Sequence, residues 1–424
     1  MLDIRFIREH PDIVKKGAEK KRVQVDIDLL LKIDEERREL LQQVETLRAE
    51  RNQTSERIPK LQGEEKQGAI ARMREVADQL KRLEPTLRER EEQFEALMLR
   101  VPNIPSEDVP EGESDLENMP LRYWGEVYQP DFPLKDHIEL GEALDIIDIP
   151  RGVKLAGART YFLKNEGALL ELAILRFAID HMLKKRFSLM IVPHLVRDEA
   201  MIGTAYYPGG EEQAYRIPKD ELSMIGTSEV SVTAYHYDEI LSEDELPKHY
   251  IGYSSCYRRE AGAAGKDTRG LYRVHQFQKV EQVIICKNDE AISAQEHDHI
   301  LRNAEEILQA LELPYRVSLV CGGDLGLPQV KKYDIETWMP SRNSYSETHS
   351  ASKFHDFQAR RLRLRYREKG GKIQYAHTLN NTVIASPRIL IPILEIYQQE
   401  DGSVVIPNVL RPYMGEVERI ERKK

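Results

Sequence analysis

Cysteine is scarce in this 424-residue chain, and the three present, Cys256, Cys286 and Cys321, stand far apart. Their spacing matches neither a zinc-ligand pattern nor a disulfide framework, so reduced structural thiols and no zinc are expected. Long apolar runs are missing too. None approaches the ~18 residues of a membrane span, and the N-terminus does not read as a signal or transit peptide. A cytoplasmic protein with no membrane partner is the expectation. Bulk positive charge is absent as well. Lys and Arg number 62 against 72 Asp and Glu, for a formal net charge of −10. Any binding of nucleic acid must therefore use local basic patches. No GxGxxG or Walker loop points to the common nucleotide-binding folds.

What is present suffices for a large core: 41% of residues are hydrophobic, and the length suits two domains. After a short N-terminal piece come two heptad runs. The first sets Leu30, Ile33, Arg37, Leu40, Val44, Leu47, Arg51, Thr54, Ile58 and Leu61 at alternating spacings of three and four. The second does so from Met73 and Val76 through Leu80, Leu83, Leu87, Arg90, Phe94 and Leu97 to Val101. Such spacing makes the narrow seam of a coiled coil. The short break around Gln62–Gly68, with its two glycines, makes the arms antiparallel, with a turn near Glu65. Pro59 and Pro85 predict a distorted tip and a kinked second helix. Basic residues of the outer half (Arg48, Arg51, Arg57, Lys60, Lys66, Arg72, Arg74, Lys81 and Arg82) are interleaved with acids. By charge alone they suit a solvated face at least as well as an RNA site. A proline-rich acidic stretch around 101–125 marks a linker.

Beyond it, helices and strands alternate without a βαβ rhythm, which predicts an antiparallel sheet flanked by helices. Gly167–Lys185 reads as a helix, and Phe187–Pro193, Tyr333–Met339 and Lys372–Leu379 as strands. Ser254–Cys286 reads as two strands joined by a glycine-rich loop. Arg273, His275, Phe277, Lys279 and Glu281 recur at period two on the second, as do Arg258 and Glu260 on the first. A charged face carrying one aromatic is a poor core face, because unpaired buried charge is costly. It is a surface hairpin or a binding floor. Arginine can grip phosphate or carboxylate, and a ring can stack on a base. The loop with Lys266 and Arg269 can fold over polyanionic phosphate.

The string Arg258-x-Glu260, a loop, then Arg273-x-x-x-Phe277-x-x-x-Glu281 resembles motif 2 of the class II aminoacyl-tRNA synthetases. EAGAAGKDTRGLYRVHQFQKVE resembles its seryl-tRNA synthetase form, and the similarity, of bacterial type, runs from MLDIRFIREHPDIV to LRPYMG. The resemblance implies an α+β fold in which a two-helix coiled-coil arm precedes a class II catalytic sheet. It implies a tRNA-binding domain at 1–105 with the arm at about 27–101, a linker at 106–125 and a catalytic domain at 126–424. The activity it implies is ligation of L-serine to tRNA(Ser), and to tRNA(Sec) where one exists, using ATP with Mg²⁺. The segment from Gly167 through Pro193 resembles motif 1, which implies a homodimer.

Residue roles are implied in the same way. Arg258 and Arg388 carry catalysis, the first bridging substrate carboxylate and α-phosphate, the second on the γ-phosphate. ATP contacts are Arg258, Arg259, Glu260, Phe277, Glu347, Thr348, His349, Ser350 and Arg388, with Phe277 stacked on adenine. Serine contacts are Thr227, Ser228, Glu229, Arg258, Glu281 and Thr382. Glu347 and Ser350 would hold Mg²⁺. The chain departs from the family at Asn380-Asn381-Thr382-Val383, where glycines are usual, and at His349, Ala351, Lys353 and Pro392. Two rivals stay open: a synthetase-like ligase serving another acceptor, and an inert RNA-binding or scaffold relative.

Overall fold

The computed structural model describes residues 1–127, 129–262, 267 and 269–422. It divides into two compact units. The first comprises residues 1–19 and 23–102, and the second 20–22 and 103 onward.

The first unit is built on helices α1 (Ile27–Arg57) and α2 (Gly63–Met98). Asp26 caps α1 by accepting the Leu29 N–H at 2.8 Å, which satisfies one of the orphan donors of the first turn. Val44 and Leu47 meet Val76, Leu80 and Leu87 in a small shared core. A core that narrow needs polar support, and ion pairs supply it across the seam: Arg48–Glu84 at 2.7 Å, Glu50–Arg72 at 2.6 Å and Glu36–Arg90 at 2.8 Å.

Two details, the position of the turn and the place of Arg51, differ from the heptad reading. The turn is nearer the N-terminus, because α2 already begins at Gly63, with Glu64 and Glu65 in its first turn, where the helix dipole favours acids. Pro59 lies in a 3-10 turn at Ile58–Lys60, whereas Pro85 sits inside α2 without ending it. Arg51, placed in the seam by periodicity, is exposed, since a guanidinium keeps its hydration more cheaply than it joins an apolar stripe.

The second unit is organised by an eight-stranded sheet. In chain order its strands are β1 (Met119–Trp124), β2 (Ser188–Ile191), β3 (Lys248–Tyr257), β4 (Gln276–Cys286), β5 (Tyr315–Leu319), β6 (Lys331–Met339), β7 (Ser344–His355) and β8 (His377–Ser386). They lie in the order β1-β5-β6-β7-β8-β4-β3-β2. All pairings are antiparallel except that of β2 with β3. One expected strand, Lys372–Leu379, is split: Ile373–Tyr375 joins a separate small sheet, and β8 starts at His377.

The two faces of the central strands do different work. Val280 and Ile284 of β4, with Leu379 and Val383 of β8, pack against helices α3 (Asn165–Lys184) and α4 (Glu290–Ala310). Each such side chain taken fully from water contributes about 1.5–3 kcal/mol. Gln282 and Asn381 on that face donate to the Ile300 carbonyl of α4, at 2.9 and 2.7 Å. The alternate residues Phe277, Lys279 and Glu281 point to the opposite face, which borders a cavity.

Candidate active site

The cavity holds about 400 Å³ and is floored by the polar faces of β4, β7 and β8. Register puts two ends on it. Gln278 of β4 lies opposite Ser386 of β8, and Glu281 opposite Thr382. Ser352 of β7 lies opposite Asn380 of β8.

At the Ser386 end, cations gather. Arg258 stands just past β3, its Nε donating to the Gly226 carbonyl at 3.2 Å. Its guanidinium lies 5.2 Å from the centre of the Phe277 ring, a cation–π contact that holds the head without a carboxylate. Arg388 donates from Nε to the Tyr272 carbonyl at 3.0 Å and from Nη1 to the Glu347 carbonyl at 2.9 Å. Its planar head lies 4.3 Å above the Tyr272 ring. Glu260 pairs with Arg273 at 2.7 Å. Burial opposes ionisation of Glu347, but Lys332, Arg388, Arg258 and Arg273 outweigh it and hold the carboxyl below its ordinary range.

Alternation along β7 explains which neighbours reach the cavity. Thr348, Ser350, Ser352 and Phe354 line it. The partner register skips Thr348, pairing Ile335 with His349 and Glu336 with Glu347. That bulge lets Glu347 and Thr348 both face the cavity.

The other end is acidic. Glu281 is paired with Lys279, and Thr382 Oγ1 donates to Glu281 at 3.4 Å. Glu229 opens the short helix Glu229–Thr233. Glu229 accepts from Tyr206 Oη at 2.9 Å and from Gln358 Nε2 at 2.8 Å. Burial, reinforced by the nearby Glu281 charge, raises its pKa. Two carboxylates and a hydroxyl suit an ammonium beside a hydroxyl.

Of the residues singled out from sequence, the cavity gathers Arg258, Glu260, Phe277, Glu347, Thr348, Ser350, Arg388, Glu229, Glu281 and Thr382. Four do not line it. Thr227 accepts the Glu229 N–H at 3.2 Å, and Ser228 donates to the Gly252 carbonyl at 3.0 Å. Both brace the loop that aims Glu229. Gly252 is required there, since a Cβ would meet Ser228 Oγ at 2.7 Å. Arg259 is exposed beyond the strand end. His349 is on the far face of β7, with Nε2 on the Val383 carbonyl at 3.1 Å and Nδ1 on Thr348 Oγ1 at 2.9 Å. A carbonyl only accepts, so Nε2 carries the proton, and burial lowers the pKa to about 4.

Period two also overreached at the start of β4. The strand begins at Gln276, and His275 turns away to contact the Arg258 carbonyl at 2.9 Å. Lys266 lies outside the described residues. Sequence reasoning gave no role to Lys279, Tyr206, Tyr272 or the segment 326–329, all of which line the cavity. Lys279 was visible at period two, and Tyr272 lies within the motif 2 string without an assigned role; Tyr206 and 326–329 belong to no motif.

Glu347 and Ser350 offer the hard oxygen donors that Mg²⁺ takes. Among the described residues, the one cluster of three or more potential ligands is His249, Glu296 and His299, none of which lines the cavity. A magnesium ion at Glu347 and Ser350 therefore needs substrate phosphates and waters to complete its shell.

Residues 1–105 match the family model for the seryl-tRNA synthetase N-terminal domain. Residues 214–397 match that for the class II tRNA synthetase core domain (G, H, P, S and T). The chain is 47% identical over 415 residues to the serine–tRNA ligase of Deinococcus radiodurans, covering 98% of each. To that of Caldanaerobacter subterraneus it is 48% identical over 418 residues, again 98% of each. The crystal structure of seryl-tRNA synthetase from Pyrococcus horikoshii complexed with ATP aligns over 100% of both chains, with TM-score 0.91 and 39% identity.

Proposed function

The chain belongs to the seryl-tRNA synthetase family, and from that premise we propose that it is a serine–tRNA ligase. It joins L-serine to ATP, releasing pyrophosphate, and passes the seryl group to the 3′ end of tRNA(Ser), releasing AMP. One observation carries this reading: a single cavity joins an arginine-rich end to an end with two carboxylates and a hydroxyl.

The first step brings two anions together, the serine carboxylate and the α-phosphate of ATP. Fixed positive charge in a water-poor site lowers that barrier most. Arg258 is the cation between them, and its hold on Gly226 and Phe277 means that little reorganisation is needed. Arg388 takes the γ-phosphate, Phe277 stacks on adenine and Glu260 accepts from the exocyclic amine. Glu229 and Glu281 take the serine ammonium, and Thr382 meets the side-chain hydroxyl. Mg²⁺, when bound at Glu347 and Ser350, neutralises phosphate charge.

The helical hairpin of the first unit is the tRNA-binding element. Its exposed arginines and lysines suit recognition of RNA backbone and shape. tRNA(Sec) fits the same recognition where a cell makes it. A homodimer is favoured by the apolar surface near the sheet edge. Ile191 of edge strand β2 is 83% exposed, and Leu172 of α3 is 60% exposed; apolar edges of this kind mark partner surfaces. A cytoplasmic location accords with the lack of any membrane-spanning helix among the described residues.

Serine-dependent ATP–pyrophosphate exchange tests the proposal. The expected order of rates is serine, threonine, alanine. A pocket that hydrogen-bonds a hydroxyl rejects alanine by about 10⁴-fold or more, whereas excluding one methyl yields only ~1–3 kcal/mol. Exchange without transfer to tRNA would favour a ligase for another acceptor, and no exchange an inert relative.

A further inference from the structure

Lys21 is 4% exposed, yet its three hydrogen-bond partners are all backbone carbonyls. Its ammonium donates to Gly326 and Leu327 at 3.0 Å each, and to Gln329. Burial pushes its pKa well below the ordinary lysine value. A cation kept at such cost has a structural task. Three carbonyl oxygens converging on one point repel each other unless a cation lies between them. The ammonium therefore fixes residues 326–329 in one conformation.

Asn103 grips the same segment. Its N–H donates to the Leu327 carbonyl at 2.9 Å, and Nδ2 to the Pro328 and Phe354 carbonyls at 3.0 and 2.8 Å. The clamped segment lines the cavity. Gln329 Nε2 donates to Ser352 Oγ at 2.8 Å, and Ser352 lies opposite Asn380, two residues from Thr382. The segment thus forms wall at the serine end and is remote in register from Arg388.

We infer that Lys21 and Asn103 are positioning residues for serine recognition, acting through the wall segment 326–329. Neither lines the cavity, so their effect passes through that wall. This inference rests on the serine–ATP reading of the cavity.

The test is pyrophosphate exchange by full-length K21M and N103A, with KM for serine and for ATP measured separately and folding followed by circular dichroism. Folded K21M should raise the serine KM about tenfold, with the ATP KM and kcat changed less than about threefold. N103A should show the same split at roughly threefold. Unchanged serine KM in folded K21M, or a joint loss in both KM values and kcat, overturns the inference. If K21M does not fold, N103A decides alone, and an unaltered serine KM there overturns it. Failure of the underlying reading looks different: the unmodified protein would then show no serine-dependent exchange.

Discussion

In its proposed role, Glu229 meets opposite demands from folding and from binding. Burial raises its pKa, so the folded chain holds this proton more tightly than the unfolded one. The stability it contributes is complete below the unfolded carboxylate pKa and is lost as pH rises through the higher folded value. E229Q stays neutral throughout and can still accept from Tyr206. Its melting temperature at pH 7–8 should equal or exceed that of the parent, while serine KM rises roughly 10–100-fold with the loss of a charged partner. A melting temperature well below the parent at that pH would contradict a destabilising buried charge.

The arginines make a second residue-scale contrast. R258A and R388A should each cost ~2–4 kcal/mol of transition-state stabilisation in exchange assays of folded protein. Arg388 is additionally tied to two carbonyls and a ring. A lysine there would keep the charge but lose the planar fork, so R388K should restore little. Near-normal exchange by either alanine variant would remove that arginine from the phosphate site.

Among elements, β7 separates chemistry from support. Its cavity face carries Thr348, Ser350 and Ser352, and its opposite face carries His349 and the Ala351 carbonyl that accepts from His297 at 3.0 Å. Burial lowers His297 to about 3, His349 to about 4 and His377 to about 3. These histidines stay neutral when folded and charge when unfolded. Their stabilising contribution is present above the unfolded pKa of about 6.5 and is lost as pH falls toward the folded values, at up to ~1.4 kcal/mol per pH unit for each. Thermal melts should weaken steadily from pH 6.5 to 4.5, and H349N should show a shallower decline. Identical pH dependence in H349N would mean that His349 is not among the groups protonated on acid unfolding.

The same strand shows what sequence makes legible. Period two brought out Phe277, Lys279 and Glu281 because a regular strand repeats its environment every second residue. It failed at His275, which precedes the strand, and the family pattern misplaced His349 because a bulge beside it resets the faces. Tyr206 and residues 326–329 left no trace in the sequence. They reach the cavity through tertiary contacts of loops, and no local periodicity records those.

At the scale of the molecule, the two units invite a separation of functions. Deleting Ile27–Val101 and bridging the gap with a short linker should leave adenylate formation within several-fold, since every residue proposed to contact serine or ATP follows that deletion and Lys21 and Asn103 fall outside it. Transfer to tRNA should collapse, because a chain of net charge −10 offers little bulk attraction in place of specific backbone contacts. Binding of tRNA by the intact protein should weaken steeply with added salt. A truncated protein that charges tRNA(Ser) as well as the full chain would make the hairpin a spacer.

The Lys21 clamp also bears on the order in which the chain folds as it is made. Lys21 leaves the ribosome before its carbonyl partners, which follow 305 to 308 residues later. The hairpin synthesised between them closes on contacts much nearer in sequence, such as Arg48 with Glu84, and local contacts form first. Until they emerge, Lys21 is a solvated lysine without those carbonyls to hold. The wall segment 326–329 can set around that ammonium only once it has itself been made, so a contact spanning 305 to 308 residues closes late in folding.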